Sequence, residues 1–300
     1  MKHWFGAVGA LGLAGWDSDA RMASPDDVEV LALAVLAVGV VGEDAALAWA
    51  RAVGAALARI GDATNALGGS LSARISVATS GNELDTARSW ARGAPMLAPI
   101  GRMLDVLFRH HLELARQHFE RSNSFDLMLQ RMTRAAVGFV DMSGFTRATE
   151  ALDAAAFSRL MASFAQLVNE TVGDASGRVV KLIGDAAMVV APDPPVLAAI
   201  VDDLLGRWSA REEGLSLHAG LAYGELLSQD GDFFGRAVNV AARLAAVAAP
   251  GTMMASMPFG ETLADGEWIV EWQDPIVLRG IPDPVVACVF RRATAARRPG

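Results

Sequence analysis

The chain has 300 residues, 52% of them hydrophobic, a formal net charge of −8 and a single cysteine, Cys288. That length makes one large domain or two of ordinary size with enough apolar residues for a core, and the acidic balance argues against a nucleic-acid partner, which needs a basic face. A nucleotide stays open, because local cations and metal ions reverse the field at a site; one cysteine excludes an intrachain disulfide and points to a reducing, cytoplasmic setting.

Residues 4–16 follow Lys2 and have the apolar character of a signal-peptide core, but Asp17 and Asp19 close the run and it is too short to span. Residues 28–41 contain Glu29 and fall short of the roughly 20 residues that a membrane helix needs. No stable membrane insertion is expected. Ser24-Pro25-Asp26-Asp27 opens a helix with a hydroxyl cap, a proline in the first turn and acids at the positive end of the dipole. That helix is apolar nearly all round, so it should be buried within its domain or between two chains, and Gly42 should end it. A second helix over about 43–60 carries Ala46, Ala50, Gly54 and Ala58 in a small-residue stripe, with loops expected at 68–70 and 80–82. From Leu97 a long helix has Ile100, Leu104, Leu107, His111, Leu114 and His118 three and four apart, the seam of paired helices. Charge on His111 or His118 in such a seam is unfavourable and would make it respond to pH; solvated histidines are the plainer reading. Residues 1–120 thus read as a helical regulatory and dimerisation domain, and 121–133 as a linker helix.

At Ala135 the period changes to that of a strand, and a catalytic domain is expected over 134–293 with a tail at 294–300. Residues 135–140 read as a buried strand ending at Asp141, then a helix over about 147–172 and a strand over 178–183. Gly184-Asp185 turns the chain into a strand over 186–191, a helix spans about 195–208, and a strand covers 215–223. Shorter strands follow at 268–272, 276–278 and 285–290. Strand, helix, hairpin, helix, strand is a ferredoxin-like βαββαβ order, an α+β fold with its helices on one face.

Asp141 leaves a buried strand and Asp185 sits in a tight turn; side by side, the strands bring both carboxylates to one edge. Two carboxylates with few other ligands suit Mg²⁺ or Mn²⁺, which keep positions for water and phosphate oxygens, although strand-end aspartates also serve as turn formers and caps. The N–H groups of Gly144, Phe145 and Thr146 open a helix and can take a phosphate. Lys181 lies on a strand otherwise made of Val, Leu and Ile, where a lone lysine is usually an edge or snorkelling residue. Paired with Asp232 it gains a role: lysine donates to an adenine ring nitrogen while aspartate accepts from the exocyclic amine. Within Gly231-Asp-Phe-Phe-Gly-Arg-Ala-Val-Asn-Val-Ala-Ala-Arg243, Asn239 and Arg243 stand one helical turn apart and can reach one anion.

Phe139-Val-Asp-Met-Ser-Gly-Phe-Thr146, Lys181-Leu-Ile-Gly-Asp185 and the 231–243 stretch together resemble the three signature segments of class III nucleotidyl cyclases. The resemblance covers about 134–291 and implies an adenylate cyclase that makes 3′,5′-cyclic AMP and pyrophosphate from ATP. It implies that Asp141, the Met142 backbone and Asp185 hold two divalent cations, Mg²⁺ or Mn²⁺. Lys181 and Asp232 would select adenine, Asn239 would orient the ribose, and Arg243 would stabilise charge on the reacting phosphate. Arg279, in Leu278-Arg279-Gly280, falls where the family usually has a lysine for the terminal phosphates. The family builds each site from two subunits, so the resemblance implies a homodimer with two composite sites. A non-catalytic nucleotide-sensing module and a guanylate cyclase are the alternatives; a diguanylate cyclase would need a Gly-Gly-Asp/Glu-Glu-Phe segment, which the sequence lacks. The front half is similar to the N-terminal domain of bacterial cyclases that include the mycobacterial pH-sensing enzyme. That similarity implies dimerisation and control of the cyclase, with a proton or a lipid as regulatory ligand.

Overall fold

The computed structural model describes residues 25–76, 88, 91, 99–121, 132–145, 149–150, 152–211, 215–263 and 267–293. The chain divides into two compact units, Met1–Gln117 and His118–Gly300. In the first, α1 (Pro25–Val41) meets α2 (Glu43–Ser76) through Gly42, whose φ of +86° suits glycine at a helix end. Ala46, Ala50 and Gly54 are buried and Ala58 is exposed, so the small-residue stripe works over its first half only. Two expectations are corrected. The loop expected at Gly68-Gly69-Ser70 is helix, because two glycines at about 1 kcal/mol each are outweighed by the good helix formers on both sides. Of the two settings expected for α1, burial within its own domain does not hold among the described residues: Val30, Leu33, Leu36, Val40 and Val41 are exposed although α1 packs against α2. The long helix α3 runs over Ile100–Arg121 and carries both His111 and His118. Leu97, the loop expected at 80–82 and residues 122–131 of the expected linker lie outside the described residues. Met132 and Thr133, expected in that linker helix, begin a strand.

The second unit is a sheet whose central strand β1 (Met132–Ser143) is longer than the expected 135–140. Helix α4 (Ala154–Gly173) starts later than expected, because Asp153 caps it by accepting from the Ala156 N–H at 2.7 Å. Then come β2 (Arg178–Ile183), β3 (Ala186–Ala191), α5 (Pro194–Ser209), β4 (Ser216–Gln229), β5 (Asp232–Phe234) and α6 (Arg236–Ala245). β6 (Met253–Ser256), α7 (Met257–Gly260), β7 (Trp268–Trp272) and β8 (Ala287–Arg292) complete the order. The strand expected at 276–278 is a single bridge, Ile276 to Val285. The sheet order is β2-β3-β1-β4-β6-β8-β7 with β5 paired to β4. Its first four strands have the ferredoxin-like arrangement, and β6, β8 and β7 extend it.

Strand alternation divides the core in two. Ala136, Val140 and Met142 of β1 pack under α4 and α5 with Phe164, Leu167, Leu204 and Trp208. Val137, with Met188 and Ala222, faces α6 through Val240, Ala241 and Leu244. The two crossover helices share one face, as their order requires, and α6 covers the other.

The register of α6 is set by a close approach. A Cβ on Gly220 of β4 would fall 2.0 Å from the Ala245 nitrogen and 2.2 Å from the Ala241 oxygen. Those are backbone atoms, so the whole helix would have to move. Gly220→Ala should therefore destabilise the second unit by about 3 kcal/mol or more, read as a lower urea midpoint with unchanged slope; an unaltered midpoint would contradict this packing.

Candidate active site

The β2–β3 turn places Asp185. Gly184 has a φ of +59° and Asp185 does not have a positive φ, so glycine takes the strained first position of a two-residue hairpin and Asp185 the second. β3 pairs with β1 so that Asp141 lies opposite Ala186, the residue after Asp185. The Met142 N–H donates to the Asp185 carbonyl at 3.3 Å and to the Asp141 carboxylate at 3.1 Å. This bonding ties the two acidic residues together through the backbone between them. Burial, and then the nearby charge of Asp185, push the Asp141 carboxyl above its ordinary range, while His218 and the Met142 N–H pull it down. A buried Asp141 carboxylate whose charge is further disfavoured by Asp185 beside it fits a divalent cation. Among the described residues no group of three or more His, Cys, Asp and Glu gathers as a metal cage; an ion held by Asp141 and Asp185 alone would keep positions for a ligand's oxygens.

His218 is the residue the sequence reading missed. It lies opposite Asp141 in the β1–β4 ladder, with Nε2 3.8 Å from the Asp141 carboxylate and Nδ1 sharing a 2.6 Å hydrogen bond with the Ser143 hydroxyl. Its only signal in the sequence is a polar residue inside an apolar strand; the pairing that brings it to Asp141 is a tertiary fact.

Lys181 and Asp232 come from β2 and β5, and their side chains form a direct ion pair. The strand carries Lys181 to this face by a bulge: Val179 pairs with Val189 and Lys181 with Met188, leaving Val180 unpaired. Val179 consequently packs with the α4–α5 core while Lys181 shares the Met188 face. Asp232 follows a two-residue turn, Asp230-Gly231, with φ of +53° and +82°, the pattern of a type I′ hairpin. Its second oxygen accepts from the Phe233 N–H at 2.8 Å.

Gly235 begins α6 with a φ of +140°, and a Cβ there would sit 2.8 Å from the Glu225 carbonyl. Ala237, Val240, Ala241 and Leu244 take the sheet-facing side, so Asn239 and Arg243 are left on the outer side, exposed and one turn apart. Among the described residues neither side chain has a hydrogen bond or ion pair, and nothing links them to Asp141, Asp185, Lys181 or Asp232. Gly144 is exposed with a φ of +80°, Phe145 packs against Phe157 at 5.9 Å between ring centroids, and Thr146 lies outside the described residues. Arg279 is exposed between the bridge residues Ile276 and Val285, beside Gly280 with a φ of +80°. His111 is exposed on α3 with its ring 5.9 Å from that of His110; the surroundings of the His118 side chain lie outside the described residues. Cys288 is buried in β8, and burial pushes its thiol up to about 11, which removes it as a nucleophile at neutral pH. Among the described residues no helix is long and apolar enough to cross a membrane.

The chain belongs to the family of adenylate and guanylate cyclase catalytic domains, whose pattern matches residues 127–290. Its second unit is therefore a class III nucleotide cyclase domain. The uncharacterized protein Rv2212 of Mycobacterium tuberculosis (strain ATCC 25618 / H37Rv) is 37% identical over 277 residues, covering 92% of this chain and 72% of that protein. The pH-sensitive adenylate cyclase MT1302 of Mycobacterium tuberculosis (strain CDC 1551 / Oshkosh) is 34% identical over 214 residues, 69% of this chain and 52% of that enzyme. Among solved structures, the adenylyl cyclase CyaB from P. aeruginosa aligns with a TM-score of 0.47 at 22% identity, over 54% of this chain and 96% of that one.

The Asp141 shift has a consequence for stability. A carboxyl whose folded pKa is raised above the unfolded value adds stability that is full below the unfolded pKa and lost as pH rises through the folded one. At pH 7 the ionised Asp141 therefore costs stability in the metal-free chain. Asp141→Asn should raise the metal-free Tm at pH 7, by no more than roughly 2–4 °C, because 35% of the side chain remains exposed and water screens it. The gain should vanish by about pH 3.5, below the ordinary Asp value. An Asn variant less stable at pH 7, measured by thermal unfolding in chelator, would contradict this electrostatic account.

Proposed function

We propose that the protein is an adenylate cyclase, converting ATP to 3′,5′-cyclic AMP and pyrophosphate at two composite sites of a homodimer. The observation that carries the choice of base is the Lys181–Asp232 pair. An ammonium donor beside a carboxylate acceptor complements adenine, with its ring nitrogens and exocyclic amine. Guanine presents a carbonyl at position six, which the carboxylate repels. Adenylate cyclases among the relatives, including one from Streptomyces coelicolor that is 29% identical over 168 residues, support the same reading.

The reaction forms a bond from the ribose 3′-oxygen to the α-phosphorus, breaks the α–β bridging P–O bond and releases the hydroxyl proton. Asp141 and Asp185, with the Met142 backbone, would hold divalent cations, Mg²⁺ or Mn²⁺, which would favour the ionised hydroxyl and neutralise the leaving pyrophosphate. Asn239 orients the ribose so that attack is in line, and Arg243 stabilises the charge that builds on the phosphate oxygens. The N–H groups of Gly144, Phe145 and Thr146 hold phosphate oxygens, and Arg279 takes the terminal ones. The two sets belong to different copies, because Asn239 and Arg243 lie on the exposed side of α6 with no side-chain partner among the described residues of their own chain. The helical region at residues 1–120 is assigned dimerisation and regulation, with the exposed apolar faces of α1 and α3 meeting a second copy. His111 and His118 would then sense protons, with a lipid as the other regulatory ligand.

Purified chain with Mn²⁺ or Mg²⁺ should make cyclic AMP from ATP at least about tenfold faster than cyclic GMP from GTP, the margin of one good polar contact. Arg243→Ala should lower kcat by about 100-fold or more with little change in KM. No cyclic product from either nucleotide would refute the enzyme, and a preference for GTP would reverse the roles given to Lys181 and Asp232.

A further inference from the structure

The ribbon that carries Asp232 is a slight structure. β5 has three residues and, among the described residues, pairs with β4 alone, and a two-stranded ribbon is marginal in water unless something holds it. Its tip must nevertheless reach β2, three strands away in the sheet, for Asp232 to meet Lys181. Among the described residues, Arg178 bridges this gap alongside Lys181.

Arg178 opens β2 opposite Val190. Strict alternation would put Arg178 and Lys181, three residues apart, on opposite faces; the bulge at Val180 brings both to the same one. From there the guanidinium donates through Nη2 to the Gly231 carbonyl at 3.1 Å. Its central carbon lies 5.0 Å from the centroid of the Phe233 ring, in the geometry of a cation–π contact. Gly231 and Phe233 are the two neighbours of Asp232. Arg178 thus grips the chain on both sides of the residue whose carboxylate Lys181 holds. Among the described residues it shows no hydrogen bond or ion pair to Asp141, Asp185, Asn239 or Arg243.

We propose that Arg178 is a positioning residue for base selection: it docks the β4–β5 tip on β2 and so sets Asp232 within reach of both Lys181 and a purine edge. The proposal rests on the reading that Lys181 and Asp232 choose adenine. A flat guanidinium suits the task, because it donates in its plane to a carbonyl while its face lies on the ring. An ammonium cannot do both.

The test uses the full-length chain and compares wild type, Arg178→Ala, Arg178→Lys, Asp232→Ala and the Arg178→Ala/Asp232→Ala double variant. Steady-state rates on ATP and GTP and amide hydrogen exchange at residues 231–234 are measured for each. Arg178→Ala should lower the ATP-over-GTP ratio of kcat/KM by about tenfold, the worth of one hydrogen bond with a cation–π contact. Most of the loss should appear in KM for ATP, with faster exchange at the tip. Arg178→Lys should recover little of the ratio. In the Asp232→Ala background, removing Arg178 should not change the ratio further. An Arg178→Ala or Arg178→Lys chain with its ratio and tip exchange unchanged overturns the proposal, and so does lost activity at an unchanged ratio. If Asp232→Ala abolishes the preference and Arg178→Ala does not, the positioning role alone fails; if wild type shows no preference for ATP, the base-selection reading fails and the proposal falls with it.

Discussion

Bare backbone against bare backbone, where α6 lies on β4 over Gly220, is the contact on which the site depends. The helix has no room to shift toward the sheet, and its small sheet-facing residues, Ala237, Ala241 and Ala245, keep it close. That approach fixes the rotation of α6 about its own axis. Once Val240 and Leu244 are buried, a 3.6-residue period leaves Asn239 and Arg243 on the outside. Gly235, which starts the helix under the Glu225 carbonyl, fixes where along the sheet it begins. An amide and a guanidinium one turn apart, held on a helix that cannot slide, are pre-organised for an anion in a way a loop would not be.

The acidic side of the site follows a different logic. Asp141 and Asp185 are held near each other by backbone bonds through Met142, against their mutual repulsion. Folding of the hydrophobic sheet imposes that arrangement, and a bound cation would relieve it. His218 offers partial compensation from the neighbouring strand while itself held by Ser143. The pair proposed to read the base differs again, because Lys181 and Asp232 already satisfy each other.

Much of this was legible in the sequence, for physical reasons. Strand and helix periods fix the βαββαβ order of the second unit, and the sheet order β2-β3-β1-β4 follows from it. The Gly184-Asp185 dipeptide marks a tight turn because only glycine and a few small polar residues tolerate positive φ. What was not legible depends on pairing. The Val180 bulge has no signature among Val, Leu and Ile, yet it decides which face Arg178 and Lys181 share. His218 meets Asp141 only through the β1–β4 register. In the first unit, Gly68-Gly69 reads as a break but stays helical. The apolar faces of α1 are exposed in one chain because a run without polar residues says that burial is needed and not by what.

The central claim is that each site draws its carboxylates from one copy of the chain and its Asn239 and Arg243 from another. Mixing Asp141→Ala chains with Arg243→Ala chains tests it most directly. Each should be inactive alone, and each heterodimer should carry one site with all its residues intact, so the mixture should regain a substantial part of wild-type cyclic AMP formation. Heterodimers demonstrated by differential tagging that remain as inactive as either parent would contradict the shared site.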